Sequence, residues 1–198
     1  MKMIFRKIGR FIKNTPRVIK NLIFLARYPF MWATNRWTGK KIFPTFTEYD
    51  SIPKGWRKAF GKQLLKDIKK ALKEDKKEFG KKTQIHWLQI KEKYGALVMY
   101  ATSSERVDKV FSYYEDLSLC YCINCGKPVR YSTSGYILFL CEQCFNEHMQ
   151  RMKRNDEAYK EQCRLTENDI PKRFVFKNNE MILEEPIIDY YKLWDIEK

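Results

Sequence analysis

Cys122, Cys125, Cys141 and Cys144 form two Cys-x-x-Cys pairs with fifteen residues between them. Thiolates two residues apart on a tight turn can reach one ion, and a second pair completes a tetrahedral shell. The spacing is that of a structural zinc site. Gly126, directly after Cys125, supplies a residue tolerant of positive φ where such a knuckle needs it. Disulfides would use the same residues in an exported chain. The N-terminal apolar segments, however, are interrupted by Lys20 and Arg27 and do not read as a cleavable signal peptide. The expectation is therefore a reducing, cytoplasmic setting and one bound Zn2+. Four thiolates fill the shell and leave no position for substrate or an activated water, so the metal is structural and the chain is not expected to be an enzyme.

Residues around the ligands suggest the module's shape. Val129, Tyr131, Tyr136, Ile137, Phe139 and Leu140 flank a Ser132–Gly135 turn and predict a hairpin. Glu142 to about Arg164 contains no Pro or Gly and predicts a helix. A knuckle, a hairpin and a helix bearing the second pair in its first turn is the treble-clef arrangement; a zinc ribbon is the alternative. Cys120 and His148 are near enough in sequence to replace a ligand. They read better as the end of a preceding apolar helix face and an ordinary helix residue, and Cys163 as a buried or idle thiol.

The net charge is +15, and its placement matters more than its size. Residues 1–47 hold eleven Lys or Arg and no Asp or Glu; residues 48–83 add +6; residues 84–198 sum to −2. Residues 120–150, with Lys127 and Arg130, lack the clustered cations that phosphate binding needs. A polyanion would meet the first half of the chain, through Lys2, Arg6, Lys7, Arg10, Lys13, Arg17, Lys20, Arg27, Arg36, Lys40 and Lys41.

Ile4, Phe5, Ile8, Phe11 and Ile12 recur at helical spacing among these cations. The pattern resumes after Pro16 with Val18, Ile19, Leu22, Ile23 and Leu25, predicting two short basic amphipathic helices. No uncharged stretch there approaches the ~18 residues that span a bilayer. Such helices suit an anionic membrane surface, nucleic acid, a protein partner, or the protein's own core. Residues 28–47, rich in aromatics and broken by Pro and Gly39, read as an extended arm that stacks bases or wraps a protein surface.

Residues 48–119 predict an α+β core. Trp56, Ala59, Phe60, Leu64, Ile68, Ala71 and Leu72 mark one amphipathic helix, whose other face carries Lys62, Lys66, Lys69, Lys70, Lys73, Lys76 and Lys77 and reads as solvated. Ile85–Ile90 and Leu97–Ala101 pair about a Tyr94-Gly95 turn. Ser103 or Ser104 caps a helix burying Val107, Val110, Phe111, Tyr114 and Leu117. The fold class is thus α+β, in four segments: a basic extension (1–47), the core (48–119), the zinc module and its helix (120–164), and a strand with an acidic-aromatic tail (165–198). Glu184, Glu185, Asp189, Tyr190, Tyr191 and Trp194 in that tail suit folding back on the basic half.

Gly55-Trp56…Ala59-Phe60-Gly61, then Ile90-Lys91-Glu92-Lys93-Tyr94-Gly95-Ala96-Leu97, then Cys122-Ile123-Asn124-Cys125-Gly126-Lys127-Pro128 and Leu140-Cys141-Glu142-Gln143-Cys144 occur in that order. Across roughly residues 52–148 the chain resembles an uncharacterised family of small zinc-binding proteins encoded by tailed bacteriophages and prophages. The resemblance implies a bacterial cytoplasmic setting, with a membrane-peripheral position open to the basic extension. It implies no reaction. Two readings follow: a zinc-stabilised protein contacting nucleic acid through its basic half, or a module acting on a host factor with an N-terminal membrane or partner anchor. With His86 and His148 as the only histidines, a two-histidine metallonuclease is hard to assemble, and neither a phosphate-cradling Gly-rich loop nor a nucleophile elbow occurs.

Overall fold

A computed structural model describes residues 2–80, 84–153, 156–166, 169, 173–177 and 180–184; for residues 2–14, 173–177 and 180–184 it describes the backbone alone. The elements run α1 (Lys2–Arg27), α2 (Lys54–Ala59), α3 (Gly61–Phe79), β1 (His86–Lys93), β2 (Ala96–Thr102), α4 (Glu105–Ser118), β3 (Tyr131–Ser132), β4 (Phe139–Leu140), α5 (Glu142–Arg151), α6 (Glu157–Cys163), β5 (Arg173–Lys177) and β6 (Glu180–Glu184). The strands form three separate antiparallel hairpins, so the class is α+β.

The β1–β2 hairpin anchors the core. Tyr94 and Gly95 both take positive φ, 52° and 81°, the pairing that a two-residue turn matched to strand twist requires. The register shifts between Trp87 and Gln89, a bulge that leaves Leu88 exposed and lets Trp87 and Ile90, three residues apart, both face inward. Along β2, two amides find acceptors on α4: Leu97 donates to Ser118 Oγ (2.8 Å) and Met99 to Glu115 Oε1 (2.6 Å). The helix thereby covers what would be an open sheet edge. Burial raises the Glu115 pKa, against the lowering effect of the Met99 amide.

Ser104 caps α4 through Val107 N–H, and Val107, Phe111, Tyr114 and Leu117 bury as their spacing predicts. Tyr114 donates to Asp67 (2.6 Å), and its phenol is shifted strongly upward by burial and by that carboxylate.

Three sequence expectations are corrected. The predicted helix through Trp56 and Leu72 is two helices, broken at Phe60 (φ −133°). A Cβ on Gly61 would lie 2.2 Å from the Tyr49 hydroxyl, so glycine at the start of α3 leaves room for that ring. The two N-terminal helices are one, because the helix runs through Pro16, forgoing only one backbone donor. The single helix expected from Glu142 to about Arg164 is also two, with Lys153 at φ 53° in the link.

The arm after α1 wraps its own core. Trp32 pairs with Thr47 and Thr34 with Lys41, Met31 and Ala33 are buried, and Trp87 Nε1 donates to Phe30 O (2.7 Å). In the C-terminal segment the backbone forms the β5–β6 hairpin; Glu185, Asp189, Tyr190, Tyr191 and Trp194 lie outside the described residues.

Candidate metal centre

The knuckle is built by backbone geometry. Gly126 N–H donates to Cys122 O (2.8 Å), Cys122 N–H to Lys127 O (2.7 Å), and Gly126 takes φ 81°. The second pair sits at the start of α5: Cys141 is the N-cap and Cys144 lies in the first turn. The β3–β4 hairpin between the pairs delivers both to one place, helped by Tyr131 stacking on Phe145 at 4.3 Å. The four Sγ atoms all lie within 4.8 Å of one another, with Cys125 and Cys141 at 3.4 Å. Zn–S bonds of ~2.3 Å in a tetrahedron place sulfurs ~3.8 Å apart, so this cluster could hold one such ion with small adjustments. Cys120 and His148 are outside the cluster, and Cys120 Sγ instead donates to Asp116 O (3.8 Å).

The donor chemistry fits a soft cation. Burial, which strips water from the charged form, pushes the Cys141 thiol up to about 11 and the Cys144 thiol higher still, and the neighbouring cysteines add to the rise. Cys125 goes the other way: burial opposes its ionisation, but the Lys127 amide and the neighbouring thiols bring its pKa below the ordinary value. A divalent ion would offset that cost and could be held by all four as thiolates.

The module is fastened to the core at glycines. Gly55 N–H donates to Ile123 O (2.9 Å), and a Cβ there would meet Cys122 O at 2.2 Å. A Cβ on Gly126 would meet Gly55 O at 2.5 Å. The α2 backbone thus rests directly on the knuckle, with Trp56 Nε1 donating to Tyr121 O (2.9 Å) beside it. At a second point Gly95 packs against Phe139, and Glu92 accepts from both Gly95 N–H and Tyr136 Oη (2.7 Å each).

The sequence-derived binding residues scatter. Arg17, Lys20 and Lys40 are exposed. Arg36 is held by the buried Glu48 (2.9 Å) and the Trp87 carbonyl, Lys41 lies over the Trp32 ring (4.5 Å), and Arg27 lies over Tyr28 (5.7 Å). The side chains of Lys2, Arg6, Lys7, Arg10 and Lys13 lie outside the described residues.

The lysines of α3, which the sequence presents as a solvated face, form the clearest cationic surface. All seven are exposed and follow at steps of one, three or four residues from 62 to 77, a row about 22 Å long. The helix's acids are occupied elsewhere: Glu74, Asp75 and Glu78 face Arg106, and Asp67 holds Gln63 and Tyr114. No ion pair neutralises the row among the described residues. Trp37, 96% exposed, stands at the tip of the arm near Lys40.

No protein-family model, curated protein or solved structure matches the chain.

Proposed function

We propose that this is a non-enzymatic, zinc-stabilised nucleic-acid-binding protein, of the phage-encoded kind its motifs resemble. A treble-clef zinc module braces an α+β core, and that core presents the α3 lysines to phosphates. The observation that carries the reading is the lysine row: seven exposed cations on one helix face, with the nearby carboxylates turned to other partners. Contacts of this kind are to phosphate rather than base edges, so binding is sequence-independent and steeply salt-sensitive. Trp37 offers an exposed ring on which an unpaired base stacks. Arg17, Lys20 and Lys40 add exposed charge; Arg36 is occupied by Glu48 and contributes little. Knuckle, hairpin and N-capped helix support the treble clef over the ribbon, because Cys141 and Cys144 sit on α5 rather than on a second hairpin. Four thiolates around one zinc leave it no exchangeable position, which supports a structural metal and no metal-centred reaction.

Fluorescence anisotropy of a labelled duplex and a labelled single strand, titrated at several salt concentrations, tests this. The expected log–log salt slope is about −0.9 per phosphate neutralised on duplex, and Lys66→Glu with Lys73→Glu should lower affinity by at least about tenfold at low salt. Absence of DNA or RNA binding by the full chain at low salt overturns the proposal.

A further inference from the structure

Two faces of α1 behave differently. Asn21 is 8% exposed, its amide donating to Pro44 O (2.9 Å); Leu25 is 1% exposed; and the Phe24 ring lies 5.3 Å from Tyr49. These residues fix the helix on the core. Ile19, Leu22 and Ile23, on the other side of the same turns, are 53%, 43% and 70% exposed. Stepping back by threes and fours from Ile19, the helical repeat leads to Ile12, Ile8 and Ile4, with Phe11 alongside. On the part of α1 whose side chains are described, Ile19, Leu22 and Ile23 therefore form an apolar patch on the face opposite its docking site, and the sequence repeats isoleucine at helical spacing ahead of it. Lys7, Arg10, Lys13, Arg17 and Lys20 occupy the other positions.

We propose that α1 docks flat on an anionic lipid bilayer, with the Ile19–Leu22–Ile23 row in the headgroup boundary and the flanking cations on lipid phosphates. The composition selects this occupant. A nucleic-acid duplex has phosphates but no apolar surface to receive isoleucines and phenylalanines. A second copy has the apolar row, but residues 1–47 carry eleven cations and no anion, so two copies laid together repel. An anionic bilayer supplies hydrocarbon and negative charge on one plane. Because the core attaches through Asn21 and Leu25, it sits on the far side of the helix and leaves that plane free to approach. No helix among the described residues is long and apolar enough to cross a membrane, and the arrangement is a surface one. This surface is distinct from the α3 lysine row, and the inference stands whether or not that row takes nucleic acid.

Flotation of the full-length, zinc-loaded protein with phosphatidylcholine vesicles, and with vesicles also containing phosphatidylglycerol, tests it. The protein should float with the anionic vesicles and not with the neutral ones. Ile19→Ser with Ile23→Ser, both at exposed positions, should lower partitioning at least about tenfold while leaving Tm and duplex binding unchanged. Separately, Leu22→Trp should give a blue-shifted emission component on adding anionic vesicles only. Failure to float, flotation undiminished in the double variant, equal binding to neutral vesicles, or a dimer that the double variant dissolves would each overturn the proposal. Lys66→Glu/Lys73→Glu affects the duplex assay and spares the Leu22→Trp shift, so the two readings fail independently.

Discussion

The core and the cysteine module of this protein are stabilised by different means. Among the described residues the core cluster gathers seventeen buried hydrophobic ones, including Trp56, Trp87, Phe60, Phe111 and Tyr114. The module's cluster has eight among the described residues, and four of those are cysteines: Cys122, Cys141, Cys144 and Cys163. Burying Leu140, Phe145, Tyr131 and Met149 cannot offset the chain entropy of ordering residues 120–163. The core folds by hydrophobic burial; under the proposed reading the module relies on a metal held by its four clustered cysteines. The glycine contacts at Gly55 and Gly126 join the cysteine module to the core with backbone on backbone.

The largest effect should come from removing the ion. Structural zinc binding is worth on the order of 10 kcal/mol in small modules, comparable with the whole stability of a domain. Cys141→Ser, or a strong chelator, should therefore abolish amide dispersion from residues 120–163 in an NMR spectrum while signals of the β1–β2 hairpin persist. Elemental analysis of the purified protein should give one zinc per chain. A fully retained module spectrum after metal removal would erase the distinction between the two regions.

A smaller effect tests the joint. Gly55→Ala places a Cβ 2.2 Å from Cys122 O, a main-chain atom that cannot rotate away. Overpacking of this kind costs about 1–3 kcal/mol. Because the clash lies between core and knuckle, Tm should fall and a chelator should strip zinc faster, both from one methyl group added outside the ligand set. A lower Tm with unchanged zinc release would show that the joint carries no coupling.

How much of this was legible in the sequence depends on whether the signal was local. The clustering of the four cysteines was, because Cys-x-x-Cys and a following Gly define a knuckle within five residues. The hairpin was too, since Tyr94-Gly95 sits between apolar runs. The break at Phe60 was not: Trp56, Phe60 and Leu64 keep one spacing across it, and the Tyr49 ring that packs against Gly61 beside it comes from outside the helix. The face of α1 that docks was hidden for a related reason. Ile19 and Ile23 are the more apolar choice, yet Asn21 is buried because Pro44 offers a carbonyl there. The role of Gly55 was visible only as a glycine near a helix start; its partner is almost seventy residues away. The solvated face of the α3 lysines is legible in the sequence and all seven are exposed, but sequence cannot show that Arg106 and Tyr114 occupy the acids beside them.

The smallest effect lies at the second fastening point. Tyr136 Oη donates to Glu92 Oε2 at 2.7 Å, an exposed contact between the module's hairpin and the core's. Hydrogen bonding to Glu92, then its negative charge, raises the Tyr136 pKa above the ordinary tyrosine value. A phenol raised by folding favours the folded state while it is protonated; that contribution is complete below the unfolded pKa near 10 and disappears as pH rises through the folded value. Glu92 also accepts from Gly95 N–H, so Tyr136→Phe is the cleaner variant for stability and Glu92→Gln for titration. Tyr136→Phe should leave Tm nearly unchanged at neutral pH, since exposed polar contacts contribute little. In a spectrum of ring-labelled tyrosine, Glu92→Gln should bring the Tyr136 titration back toward that of a free tyrosine. If Tyr136 already titrates as a free tyrosine in the unaltered protein, this contact does not persist in solution, and the module is fastened to the core at the glycine joint without it.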